Sequence, residues 1–150
     1  MPTEGAKALD ESVVVLDVTR SLRVLIIDDY APDRRYASMM LERAGGSVAV
    51  ETVVGGEEAL KRFEAIAVGS APAFDLVLVD INMPRMNGFE VLEAYVERFG
   101  VERAPTMIVL SSSNEEQDQA RAFATGLVTD CLLKPLDPVV ARTLVGQLAA

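Results

Sequence analysis

The chain has 150 residues, half of them apolar, and a formal net charge of -9. That length fits one domain with a single core. A surface of that sign argues against direct binding to nucleic acid or to an anionic membrane, and suits a cation or a basic patch on a protein partner.

There is no histidine, which excludes His-based acid–base catalysis, His metal ligands and any role as a phosphohistidine donor. Cys131 is the only cysteine, so no intrachain disulfide can form. No apolar run reaches transmembrane length, and the N-terminus lacks a basic stretch leading into an apolar core and a cleavage site. These features lead to the expectation of a cytoplasmic protein.

Residues 1 to 21 stand outside the repeating pattern that follows and are expected to be an N-terminal extension. Met1 to Leu9 is small and polar, and disorder is expected there. Val13 to Val18 is a β-branched run expected to form a strand, packed on its own domain or on a second copy in a homodimer. From residue 22 to 150, short apolar runs alternate with amphipathic stretches. Leu22 to Ile27 reads as a buried strand. Pro32 opens a helix carrying Tyr36, Met39, Met40 and Leu41, which Gly45-Gly46 ends.

Val48 to Val54 reads as a second strand. Gly55-Gly56 leads into a helix with Ala59, Leu60, Phe63 and Ile66, broken at 69–72. Phe74 to Val79 is the third strand and 81–87 a loop. Gly88 starts a helix carrying Phe89, Val91, Leu92, Tyr95 and Val96. Thr106 to Leu110 is the fourth strand, 114–125 a polar helix, Cys131 to Leu133 a short fifth strand, and 137–148 the last helix. Five strands alternating with five helices predict an α/β fold with a parallel sheet covered on both faces.

The acidic residues fall at matching places. Asp28 and Asp29 directly follow the first strand, and Asp80 directly follows the third. Ligands of an open parallel sheet bind beyond the carboxyl ends of the strands, where the strand order reverses. With the order 2-1-3-4-5, the reversal lies between strands one and three, and three carboxylates converge there. Their repulsion would raise at least one pKa unless a cation sat among them. An oxygen-only donor set points to Mg²⁺ rather than zinc. The plain alternative, an aspartate capping a turn, fits any one of them better than all three.

Ser111 follows strand four and Lys134 follows strand five, so a hydroxyl and an ammonium join the same rim. Such groups neutralise phosphoryl oxygens. A helix cap is the plain alternative for Ser111, but Ser112, Ser113 and Asn114 stand better placed to cap the helix near Glu115. For Lys134 it is a solvated surface lysine, against which its place between an apolar strand and Pro135 argues.

The order Asp28-Asp29, Asp80, Ser111, Lys134-Pro135 resembles the pattern of response-regulator receiver domains. So does the loop Asn82-Met83-Pro84-Arg85-Met86-Asn87-Gly88. The resemblance covers roughly residues 22 to 149. It implies a flavodoxin-like, doubly wound (βα)5 fold with strand order 2-1-3-4-5. It implies that Asp80 is the phosphoacceptor, Asp29 a direct Mg²⁺ ligand, and Asp28 a partner acting through water. Asn82 would complete the metal site with its backbone carbonyl. Ser111 would be the switch hydroxyl, the Ser112 N–H would face the phosphoryl group, Lys134 would bind it, and Pro135 would be the cis-proline. Asn82 and Ser113 match two variable positions that tune hydrolysis.

Two departures stand out. Cys131 occupies the switch position that usually holds an aromatic ring, and Gly126 to Asp130 replaces the usual short turn before strand five. The implied partners are a histidine kinase or histidine phosphotransfer protein and an unidentified downstream protein. The expected function is that of a stand-alone, non-enzymatic response regulator.

Two other families of function share part of this pattern. A haloacid-dehalogenase-type phosphohydrolase shares the nucleophilic Asp, and Val79-Asp80-Ile81-Asn82-Met83 resembles its first motif. Asn82, however, stands where that motif has a general acid, and an amide cannot serve as one. The acidic pair also precedes Asp80 rather than following the lysine. A receiver acting only as a scaffold would bind its partner equally with or without phosphodonor.

Overall fold

The computed structural model describes residues 21 to 149. The polar start and the expected strand over Val13 to Val18 lie outside the described residues. Among the described residues, strands and helices alternate as β1 (Leu22–Ile27), α1 (Ala31–Glu42), β2 (Val48–Val53), α2 (Gly56–Ala67), β3 (Leu76–Val79), α3 (Gly88–Phe99), β4 (Thr106–Ser111), α4 (Glu116–Ala124), β5 (Val128–Leu133) and α5 (Pro138–Ala149). All strand pairs are parallel, in the order β2-β1-β3-β4-β5. The parallel sheet is the one the strand pattern predicts, and its strand order is the one the resemblance implies.

Side chains alternate across a strand, so each central strand feeds two cores. Leu22, Val24, Ile26, Leu76, Leu78, Ile108 and Leu110 pack against α1 and α5 through Ala37, Leu41, Ala141 and Val145. Leu25, Ile27, Val77, Val79, Met107 and Val109 pack on the other face against Leu60, Phe63, Leu92, Tyr95 and Ala122. This two-sided burial is why β1, β3 and β4 read as unbroken apolar runs.

Several boundaries differ from expectation. Val54 falls outside β2 and is exposed, because β1 ends opposite Val53 and offers no further partner. Phe74 is buried but precedes β3; Asp75 beside it bonds Arg23 through both backbone and side chain.

The largest correction concerns β5, which begins at Val128 rather than Cys131. Only Gly126, at φ 81°, has turn geometry, and Thr129 is the residue skipped in the register between Met107↔Val128 and Ile108↔Asp130. Polar Thr129 and Asp130 are tolerated because β5 is an edge strand whose outer rim faces water.

The capping expected of Ser112, Ser113 and Asn114 does not occur. α4 starts at Glu116 with Glu115 before it, and no side chain caps its N-terminus.

Candidate functional site

The ladder of the sheet runs one residue past β1 and β3. The Asp28 N–H donates to Val53 O at 3.2 Å, and the Asp80 N–H donates to Ile27 O at 2.9 Å. Both aspartates are therefore fixed at the carboxyl rim, on either side of the β1/β3 reversal. Asp28 and Asp80 are buried, while Asp29 is exposed. One carboxylate oxygen from each of the three lies within 4.8 Å of the others.

Octahedral Mg²⁺ holds its ligands at about 2.1 Å, so neighbouring ligand oxygens stand roughly 3 Å apart and opposite ones about 4.2 Å. The cluster offers only hard oxygen donors, which fit that ion.

The members are held differently. Asp28 Oδ1 accepts the Tyr30 N–H at 2.9 Å, and its Oδ2 lies 2.8 Å from Lys134 Nζ. Arg34 Nη1 donates to the Asp28 carbonyl at 2.9 Å, which ties the rim to α1. Asp80 Oδ1 lies 3.2 Å from Lys134 Nζ. Burial and the neighbouring Asp28 charge push the Asp80 carboxyl up to about 6, although Lys134 and the Asn82 N–H pull the other way. Burial alone would lower the Lys134 ammonium, but hydrogen bonds to Asp28 and Asp33 and the Asp80 charge outweigh it and raise the pKa.

Ser111 is buried at the end of β4, where its Oγ accepts the Ser113 N–H at 3.2 Å. The Lys134 N–H donates to the Ser111 carbonyl at 2.8 Å, joining the β4 and β5 rims. The Lys134–Pro135 peptide bond is cis. Ser112 and Asn82 are exposed and Ser113 is half-buried. Cys131 lines a small cavity with Ile81, Val109, Ser111 and Ser113; burial and Asp130 push its thiol up, away from thiolate chemistry. A cleft of about 220 Å³ between the β2–α2 and β3–α3 loops, lined by Lys61, Arg85 and Met86 among others, includes none of the three carboxylates.

Two features of the site escape sequence reasoning. Asp33, in the first turn of α1, places Oδ2 2.8 Å from Lys134 Nζ. Its only signal was an acidic residue one turn beyond the Asp pair. Gly88 packs directly beneath the Asp80 segment: a Cβ there would meet the Asp80 backbone and approach Ile81 Cα to 2.8 Å. Its N–H donates to Ile81 O at 2.8 Å, and Asn87 and Glu90 form a reciprocal capping box that starts α3 on that spot.

A family model described as response regulator receiver domain matches residues 24–145. The chain is 32% identical over 123 residues to the transcriptional regulatory protein ResD of Bacillus subtilis (strain 168), covering 82% of this chain and 46% of that protein. It is 35% identical over 116 residues to the two-component response regulator ORR1 of Oryza sativa subsp. japonica, covering 76% and 49%. The chain thus spans about half the length of these two curated relatives. Among solved structures, Vibrio cholerae chemotaxis protein CheY4 superposes with a TM-score of 0.68 at 29% identity, over 86% of this chain and 99% of that one. No helix among the described residues is long and apolar enough to cross a membrane.

Proposed function

The chain belongs to the response regulator receiver domain family, the signalling domain of two-component systems, and on that footing we propose that it accepts a phosphoryl group on Asp80 from a phosphohistidine. The donor is a histidine kinase or a histidine phosphotransfer protein, and the reaction depends on Mg²⁺. The observation that carries this reading is the placement of the buried Asp80 carboxylate at the sheet's reversal point, clustered with Asp28 and Asp29 and 3.2 Å from Lys134.

A carboxylate oxygen of Asp80 attacks phosphorus in line, the P–N bond breaks, and the donor imidazole leaves. The protein contributes positioning and charge rather than covalent chemistry of its own. Asp29, Asp80 and the Asn82 carbonyl would hold the magnesium ion directly. Asp28 has both oxygens engaged, by Tyr30 and Lys134, which suits a role through water. When bound, the magnesium ion offsets charge on the transferred group. Lys134, the Ser111 hydroxyl and the Ser112 N–H receive the phosphoryl oxygens, and Asn82 and Ser113 border the path of hydrolytic water.

The output is phosphorylation-dependent protein binding or onward transfer of the phosphoryl group. Since Cys131 offers no ring to swing inward, the change at Ser111 leaves through the 111–114 loop and α4.

Labelled acetyl phosphate, or a cognate kinase, should place one hydroxylamine-labile phosphoryl group on the wild-type chain and none on Asp80→Asn. Equal labelling of the two would overturn the assignment.

A further inference from the structure

Lys134 has three N–H donors, and each has a carboxylate in reach. Its Nζ lies 2.8 Å from Asp28 Oδ2, 2.8 Å from Asp33 Oδ2 and 3.2 Å from Asp80 Oδ1. The longest of the three contacts is the one to the proposed phosphoacceptor. An ammonium has no fourth donor. A phosphoryl oxygen on Asp80 can therefore gain a hydrogen bond from Lys134 only as a carboxylate gives one up.

The three carboxylates differ in how readily they let go. The side chains of Asp28 and Asp80 are only 4% and 6% exposed, and a charge left there without its partner is costly. Asp28 is further pinned by the Tyr30 N–H. The Asp33 side chain is 36% exposed and sits in the first turn of α1. Water and the helix N-terminus both stabilise a freed carboxylate at such a place. Asp33 is also absent from the cluster of three carboxylates that suits a metal.

We propose that Asp33 is a positioning residue that holds Lys134 in reserve and competes with the phosphoryl group for its ammonium. This rests on the reading of Asp80 as the phosphoacceptor. In the resting protein, Asp33 keeps the lysine charge satisfied and extended across the α1 side of the rim. On phosphorylation the Lys134–Asp33 contact loosens, and the donor turns to a phosphoryl oxygen. The strength of that contact subtracts from the grip on the phosphoryl group, and the Asp33 charge repels the incoming dianion as well. Both effects have the same sign, so removing the charge tightens the phosphorylated state.

The test is a beryllofluoride titration of the full chain in saturating Mg²⁺, with bound fluoride followed by ¹⁹F NMR. Asp33→Asn should bind about twofold to fivefold more tightly than wild type, the range of a partly exposed ion pair. Asp33→Glu, which restores the charge, should return most of the way to wild-type affinity. Asp33→Ala should shift in the same direction as the Asn variant and replaces it if that variant does not fold. Equal or weaker binding by the neutral variants would overturn the competition and leave Asp33 a mere prop for Lys134. An Asp33→Glu affinity as high as that of Asp33→Asn would overturn it too. If wild type takes up no more beryllofluoride than Asp80→Asn, the phosphoacceptor reading itself falls and this inference with it.

Discussion

Asp80 carries a charge that its surroundings resist. Its carboxyl is raised from the ordinary value of 3.8 to about 6 by burial first and by Asp28 second, so ionisation at neutral pH opposes folding unless a cation answers it. A carboxyl that holds its proton more tightly in the fold than in the unfolded chain adds stability below about pH 3.8, and that contribution is lost as pH rises through about 6. Removing the charge should therefore stabilise the metal-free protein at neutral pH. Lys134 does not lose its pairing in the variant, since Asp28 and Asp33 both remain at 2.8 Å. Urea denaturation in chelator at pH 7.5 should show Asp80→Asn more stable than wild type by about 1–3 kcal/mol. The gap should close when the comparison is repeated near pH 4. A variant less stable than wild type at pH 7.5 would mean that Asp80 is net favourable where it sits.

At the scale of elements, α4 is the weakest member of the frame. Ala122 is its only buried residue, and no side chain caps its start. Phe123 is exposed, and Arg121 lies over the Phe89 ring while reaching Glu93 at 3.3 Å. Few buried apolar contacts mean a low local opening energy. Amides of 114–124 should exchange faster than those of α1 and α3, and beryllofluoride should slow them selectively. Uniform protection across the three helices, unchanged on adding beryllofluoride, would remove α4 and its loop from the signalling route.

The same contrast explains what could be read in advance. β1, β3 and β4 are buried on both faces and announce themselves as apolar runs. The edge strand β5 carries Thr129 and Asp130 toward water, so half of it passed for a turn. Asp28, Asp29 and Asp80 were legible because each directly follows an apolar strand. Asp33 was not, because its partner Lys134 stands 101 residues away and no local pattern encodes that meeting. Gly88 could be seen as a helix start, but its close approach to the Asp80 backbone is a fact of packing alone.

Across the whole molecule, the charge of -9 and the carboxylate cluster act on stability together. Self-repulsion of an acidic chain is relieved by any salt through screening. A divalent ion bound by the proposed ligands Asp29, Asp80 and Asn82 would act differently, because it would bind the folded state and have no comparable site in the unfolded one. Its effect follows mass action: with a dissociation constant of about 1 mM, 10 mM Mg²⁺ contributes about 1.4 kcal/mol. For a domain of this size that corresponds to a rise in Tm of about 3–6 °C. Sodium chloride matched for ionic strength should give less, and its effect should be shared by every variant. Asp29→Asn should keep the sodium response and lose most of the magnesium-specific increment. The exposed Asp29 has no role in the buried core, so the variant's metal-free stability should stay close to that of wild type. Thermal unfolding of the two proteins in chelator, in Mg²⁺ and in matched NaCl separates the contributions. An unchanged magnesium increment in Asp29→Asn would show that general screening of the acidic surface, rather than a site at the sheet's reversal point, accounts for the stabilisation.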